Sequence, residues 1–255
     1  MKKAIEEVGF YKFNRIISEE WVDRINNILP NIFEEHEKIR RKNNNPITSR
    51  GIAMNALVGN QLFFDLLNHL IDIQLLEELE KKYFKSKFIL NSFTALSNLP
   101  DEDDVFHKKI HRDVKGFTGN IPVMLNMLIM LDDFTIENGA TLLYEKTHLD
   151  EFYDLNDLNL KQKPTYAIGK AGDVLIWNSN LLHSSGINKT KNERRALAIT
   201  FSLPYYKQLL DYPRAIGDTL HFDNLMMRRL LGFESRVPAS ISEWYAPQNE
   251  LLYKK

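Results

Sequence analysis

The chain has 255 residues, 44% hydrophobic and 26% charged, and its 33 Lys+Arg against 34 Asp+Glu leave a formal net charge of -1. These proportions are those of an ordinary globular protein and exclude disordered, collagen-like and coiled-coil chains, while the balanced charge gives no general attraction to nucleic acid or an anionic membrane. With no cysteine anywhere, disulfides, thiolate catalysis, iron–sulfur clusters and zinc–thiolate sites are excluded together, so any metal must be held by His, Asp or Glu.

The N-terminus, MKKAIEEVGF, is charged and is not followed by the apolar core of a signal peptide. After Ser18, a plausible N-cap, the residues Trp21, Val22, Ile25, Ile28, Leu29, Ile32 and Phe33 recur three and four apart, the period of an amphipathic helix. Pro30 is expected to kink or split it. Residues 39–50 (IRRKNNNPITSR) lack an apolar period and read as a loop. A second helix is expected from about Asn60, with Leu62, Phe63, Leu66, Leu67, Leu70 and Ile71 on one side, continuing to about residue 84.

The period then shortens. Residues 88–97, 123–131, 141–146, 173–178 and 195–203 are short runs rich in β-branched or aromatic residues, bounded by Gly, Asn, Asp or Pro, and read as strands. No helical pattern of crossover length separates them, which disfavours a parallel sheet. The pattern predicts an α+β, β-rich protein with an antiparallel sandwich or barrel as its core, and Asp223 as cap of a last helix. The longest apolar stretch, residues 121–131, is interrupted by Asn126 and falls short of the roughly 20 residues a membrane helix needs. A cytoplasmic protein without membrane insertion or nucleic-acid partner is expected, organised as one domain over 1–255: helical support in 1–87, a sandwich or barrel in 88–205 and a C-terminal extension in 206–255.

Of the seven histidines, those at strand edges carry the chemistry. His111-Arg112-Asp113 sets a histidine and a carboxylate two residues apart, and on extended backbone positions i and i+2 point the same way. His183 follows the strand DVLIWN after a short loop. Two His and one carboxylate on one face of a metal form the facial triad of non-heme Fe(II) oxygenases, with positions left open for co-substrate and O₂. His-x-Asp alone is a weak signal, since a surface His beside a solvated Asp has the same spelling. Arg194, eleven positions after His183, strengthens it. A 2-oxoglutarate that chelates iron through its keto acid end needs a cation for its far carboxylate, and a guanidinium offers a planar fork, with the Ser185 hydroxyl as a second donor. The bland alternative is that Arg194 and Arg195 are strand-edge charges.

The segments LDDFTIENGATLLYEKTHL (131–149), AGDVLIWNSNLLHSSG (171–186) and GFYKFNRIISEEWVDRINNIL (9–29), with the order His-x-Asp, Asp-Asp-x-Thr-x-Glu-Asn-Gly, Gly-Asp and His-(x)10-Arg, resemble the phytanoyl-CoA dioxygenase family of Fe(II)/2-oxoglutarate oxygenases from about residue 8 to 205. The resemblance implies a double-stranded β-helix (a jelly roll, cupin-like) with the N-terminal helices packed on one side. It places His111, Asp113 and His183 on the iron ligands. Arg194 falls on the residue that pairs with the distal carboxylate, Ser185 on an assisting hydroxyl and Asn126 on an amide that helps bind the co-substrate. As the one polar residue of an apolar strand, Asn126 needs hydrogen-bond partners in any case. The stretch 132–139 becomes a structural turn, with Gly139 at positive φ.

Glu145-Lys146-Thr147-His148 stands where the family usually has Pro-Gly-Ser-His, and Arg112 where it often has Gln. His148 is read as structural for want of a partner at ligand spacing. His107, the acidic run 101–104, the cluster Arg40, Arg41 and Arg50, and the tyrosines 205, 206 and 212 are weaker candidates for ligand contacts. The implied reaction is oxidative decarboxylation of 2-oxoglutarate coupled to C–H oxidation of a small molecule, releasing succinate and CO₂. A carboxylate at 113, where halogenases have a small residue, favours hydroxylation, although desaturation or ring closure uses the same triad. The alternatives are a degenerate jelly-roll binding module and a cupin-type metalloenzyme that does not use 2-oxoglutarate. Retention of every expected ligand speaks against the first, Arg194 against the second.

Overall fold

The computed structural model describes residues 1–45, 51–100, 109–151, 163–217 and 224–247. Two compact units are present: residues 1–56 with 93–200, and residues 57–92 with 201–255. His107, the acidic run 101–104, Arg50 and Asp223 lie outside the described residues. Among the described residues, no helix is long and apolar enough to cross a membrane.

The strands are β1 (Phe10–Phe13), β2 (Ile52–Ala53), β3 (Ile89–Asn98), β4 (Met124–Met130), β5 (Thr141–Leu143), β6 (Thr165–Tyr166), β7 (Val174–Asn178), β8 (His183–Ser185) and β9 (Arg194–Ser202). They form a six-stranded sheet, ordered β1-β7-β4-β9-β3-β2, and a three-stranded sheet, ordered β6-β5-β8. The pairs β1–β7, β4–β7, β2–β3, β5–β6 and β5–β8 are antiparallel. This is the jelly-roll architecture. Side-chain alternation along each strand sets the interior of the roll: Leu128 and Met130 of β4, Leu143 of β5, Leu175 and Trp177 of β7 and Ala196 of β9 meet Phe134, Ala140, Ala167 and Leu181 in one buried cluster. The same alternation turns Asn126, His183, Ser185, Arg194 and Thr200 inward.

Three helical expectations need correction. The first helix, α1, is Lys2–Glu7, and α2 runs unbroken from Glu19 to Lys42 with Pro30 inside it. Proline deletes one backbone donor, but α2 is anchored on both sides of it: Val22, Ile25, Leu29 and Ile32 are buried, and the Asn26 amide donates to the Leu131 carbonyl at 3.0 Å. Ser18 caps it as expected, accepting from the Trp21 N–H. Residues 39–42, expected in a loop, are its last turn, where Arg40, Arg41 and Lys42 face the negative end of the helix dipole. The second expected helix, by contrast, is not continuous. Asn60 caps α3 (Gln61–Asp72), Gln74 interrupts it at φ 60°, and α4 (Leu75–Leu79) follows, leading into a π-turn at Glu80–Phe84.

The short strands β1, β2, β6 and β8 are not apparent from the sequence pattern, and the expected strand 141–146 ends at Leu143. Within the second unit, Phe84 stacks on Phe88, which meets Phe201 edge-on. The Gln208 amide donates to the Leu90 carbonyl, and Arg229 pairs with Glu80. Its later helices are α5 (Tyr212–Ile216), α6 (Leu225–Leu230) and α7 (Ile241–Trp244). Asn224 caps α6, accepting from Met226 N–H at 2.9 Å. Tyr212 is buried in this unit and Tyr205 exposed.

The turn 132–139 is built as the motif implies. Asp132 takes a two-pronged ion pair from Arg195 at 2.7 and 3.0 Å, Asp133 accepts from Lys170 and from Ala171 N–H, and Asn138 closes the loop onto Thr135. Gly139 sits at φ 78°, and a Cβ there would lie 2.3 Å from the Gly186 carbonyl oxygen and 2.6 Å from Asn98 Nδ2. Gly139→Ala should therefore destabilise the protein by about 2–3 kcal/mol through strain and clash. At Lys146, in the position where the family usually has Gly, the chain also adopts φ 64°. Lys146→Gly should stabilise by about 1 kcal/mol by relieving the left-handed conformation. Paired denaturant titrations of the two variants read both signs.

Candidate metal and co-substrate site

Two backbone segments far apart in sequence build the centre. The His111 N–H donates to the His183 carbonyl at 3.0 Å and the His183 N–H to the His111 carbonyl at 3.1 Å, an isolated antiparallel bridge between β8 and the ligand loop. Two residues on, the N–H groups of Asp113 and Val114 both donate to the Ser179 carbonyl. Thr118 and Asn180 exchange hydrogen bonds beyond that, Thr118 N–H to Asn180 Oδ1 and Asn180 Nδ2 to Thr118 Oγ1. The loop 111–118 is thereby stitched along 179–183, and both members of His-x-Asp face the same interior.

The metal-facing atoms of His111, Asp113 and His183 lie within 4.8 Å of one another. His111 Nε2 stands 3.5 Å from Asp113 Oδ1 and His183 Nε2 3.3 Å from Asp113 Oδ2. Each ring is oriented from behind: His111 Nδ1 is 2.7 Å from the Lys109 carbonyl and His183 Nδ1 3.0 Å from the Leu181 carbonyl. A carbonyl accepts only, so it fixes the proton on Nδ1 and leaves the lone pair of Nε2 aimed at the centre, the tautomer a metal ligand needs. Burial raises the Asp113 carboxyl, but the two imidazoles and the Trp177 N–H more than offset this and hold it below the usual carboxylate range. Burial pushes His183 down; His111 is also pulled down by burial, yet its contact with Asp113 raises it on balance.

Around this centre stand side chains from three strands. Asn126 Nδ2 donates to Asp113 Oδ2 at 2.7 Å and to Ser179 Oγ at 2.9 Å, while its Oδ1 accepts from Thr200 Oγ1 at 2.8 Å. Its amide is thus occupied by protein groups. Trp177, directly opposite Asn126 across β4 and β7, lies with its ring centroid 5.0 Å from that of His183. Trp177, Ser179 and Thr200 were not singled out by the sequence; the signal for two of them is parity, since Trp177 shares the inward face of β7 with Leu175, and Thr200 breaks the apolar inward row of β9.

Arg194 lies at the other end of β9's inward face. It is 6% exposed, donates from Nη2 to Ser185 Oγ at 2.9 Å and rests 3.9 Å above the centre of the Phe134 ring. Its buried Nε has no acceptor, and no ion pair reaches it among the described residues. Burial pulls it down to about 9, with Asp132 opposing. A guanidinium remains charged in a protein, so this is a buried cation lacking an anion. The donor sets fit two kinds of group: two imidazoles and a carboxylate suit a divalent metal, and an unpaired guanidinium with a hydroxyl suits a carboxylate.

Arg112 turns away from the centre. Its Nη2 donates to the Thr147 and Asp150 carbonyls, and the guanidinium lies 5.4 Å from the Phe117 ring centre. His148, buried, faces the Glu6 carbonyl at 3.1 Å and takes no part in the centre. Arg112→Ala should lower the thermal midpoint by a few degrees, from about 1–2 kcal/mol of lost hydrogen bonds, and leave Co(II) affinity unchanged in anaerobic titration.

The phytanoyl-CoA dioxygenase (PhyH) family profile matches residues 5–196. The uncharacterized protein Rv1501 of Mycobacterium tuberculosis is 30% identical over 184 residues, 71% of this chain and 65% of that relative. The iron/alpha-ketoglutarate-dependent dioxygenase penM of Penicillium thymicola is 32% identical over 127 residues, 47% of this chain and 39% of its own length. The chain thus spans less than two thirds of the length of these relatives. Among solved structures, the non-heme alpha ketoglutarate dependent carbocyclase SnoK from nogalamycin biosynthesis superposes with a TM-score of 0.61 at 18% identity, covering 87% of this chain and 92% of that one. The chain belongs to the phytanoyl-CoA dioxygenase (PhyH) family.

Proposed function

We propose that this chain is an Fe(II)- and 2-oxoglutarate-dependent dioxygenase that hydroxylates an unactivated C–H of a small molecule, with release of succinate and CO₂. The observation that supports it most is the combination, in one roll, of a His111–Asp113–His183 centre with a buried Arg194 that has no anion. His111, Asp113 and His183 would hold the metal on one face, and Arg194 with Ser185 would bind the far carboxylate of the co-substrate. When bound, Fe(II) supplies the activation of O₂ and of the keto acid.

The chain's own contribution is placement and exclusion. Arg194 is fixed by Phe134 beneath it and by Ser185 beside it, so little side-chain freedom is lost when a carboxylate arrives. Its unused Nε becomes satisfied at that moment, and the burial cost already present is recovered as binding energy. Leu128, Leu143, Leu175 and Leu181 wall the interior and keep water from the reacting carbon. The carboxylate at 113 fills the position that a halide would need, which supports hydroxylation over halogenation.

Anaerobic addition of Fe(II) and 2-oxoglutarate should give a visible charge-transfer band, lost in Asp113→Ala. Arg194→Ala should weaken 2-oxoglutarate binding about ten- to a hundred-fold, the equivalent of one or two charge-assisted hydrogen bonds, while Fe(II) binding persists. A wild-type protein with metal bound but no band would support the cupin-type alternative, and no metal binding at all would support the binding module.

A further inference from the structure

The Asp113 carboxylate sets Oδ1 beside His111 Nε2 and Oδ2 beside His183 Nε2, so its rotation decides how it meets a metal and must be fixed from outside. Two groups are placed to do this. Asn126 donates to Asp113 Oδ2 at 2.7 Å and is itself held at both ends, by Ser179 Oγ and Thr200 Oγ1. Trp177 is the cross-strand partner of Asn126. Its ring is 5% exposed and lies against His183, and its indole N–H is buried without an acceptor. An unpaired buried N–H is destabilising, and such a cost calls for a reason, here a partner that arrives later.

We propose that Asn126 and Trp177 are positioning residues for the metal: a two-donor cradle on facing positions of β4 and β7 that fixes the rotation of the Asp113 carboxylate, the indole N–H closing onto it when the metal binds. The cradle rests on the reading of His111, Asp113 and His183 as the metal centre. It gives Asn126 a role through Asp113 rather than on the co-substrate.

The test uses the full chain with Co(II) as spectroscopic probe, added anaerobically to wild type, Trp177→Phe, Asn126→Ala and Asp113→Ala, alongside thermal melts without metal. Trp177→Phe keeps the ring and removes only the N–H. It should weaken Co(II) binding about ten-fold, and Asn126→Ala by ten- to a hundred-fold, as outer partners of metal ligands do, with altered visible Co(II) bands. Metal-free Trp177→Phe should melt at or above the wild-type temperature, because an unsatisfied donor has gone; a merely structural indole N–H would give a lower melt. The apparent KM for 2-oxoglutarate should stay within about two-fold in Trp177→Phe. Wild-type Co(II) affinity and spectrum in Trp177→Phe would overturn the cradle while leaving the metal centre standing, as would a raised KM for 2-oxoglutarate without a change in Co(II) binding. Failure of the wild type to bind Co(II), or full binding by Asp113→Ala, would overturn the metal-centre reading and the cradle with it.

Discussion

The reciprocal pair of hydrogen bonds between the backbones of His111 and His183 is the constraint on which the site depends. Each bond is worth only about 0.5–1.5 kcal/mol net, yet together they place two residues 72 positions apart at the same height in the roll. Everything chemically useful follows from that register. Asp113, two residues along the loop, comes to lie between the two imidazoles, and the Ser179 carbonyl takes two further donors from the same loop. A one-residue slip would turn Arg112 inward and both ligands outward.

The roll supplies a second kind of control, polarity by strand parity. The inward positions of β4, β7, β8 and β9 include the apolar residues Leu128, Met130, Leu175, Trp177 and Ala196 of the buried cluster and polar side chains that pair with one another. Asn126 and Thr200 hold each other and Asp113, whereas Ser185 and Arg194 hold each other and face what the co-substrate would bring. The first pair is complete within the protein. The second is short of an anion: the buried Arg194 Nε has no acceptor, and no ion pair reaches the guanidinium among the described residues.

Much of this was legible in the chain itself, for definable reasons. The strands at 89–98, 124–130, 174–178 and 194–202 stand out because each is a short run rich in β-branched or aromatic residues bounded by Gly, Asn, Asp or Pro, and β3 and β4 are buried almost throughout. β8 does not, since three residues carry too little pattern, and β1 hides beside a strong helical signal. Pro30 misleads because propensity is local while the burial of Ile25, Leu29 and Ile32 is tertiary. The triad could be guessed from His-x-Asp and His-(x)10-Arg, but the tautomers could not: they depend on the Lys109 and Leu181 carbonyls, which any residue would provide. The partners of Asn126 were equally invisible, because Ser179 and Thr200 reach it only through the folded register of three strands.

One consequence of β8 concerns divergence. His183 and Ser185 ride on the same face of a single three-residue strand, so their spacing is set by the backbone pleat, roughly 6.6 Å, and not by how the neighbouring side chains pack. That rigid ruler spans from the metal-facing imidazole to the hydroxyl beside Arg194. Substitutions among the apolar residues around the roll can alter its packing without stretching that distance, so the two side chains keep their separation while their surroundings diverge.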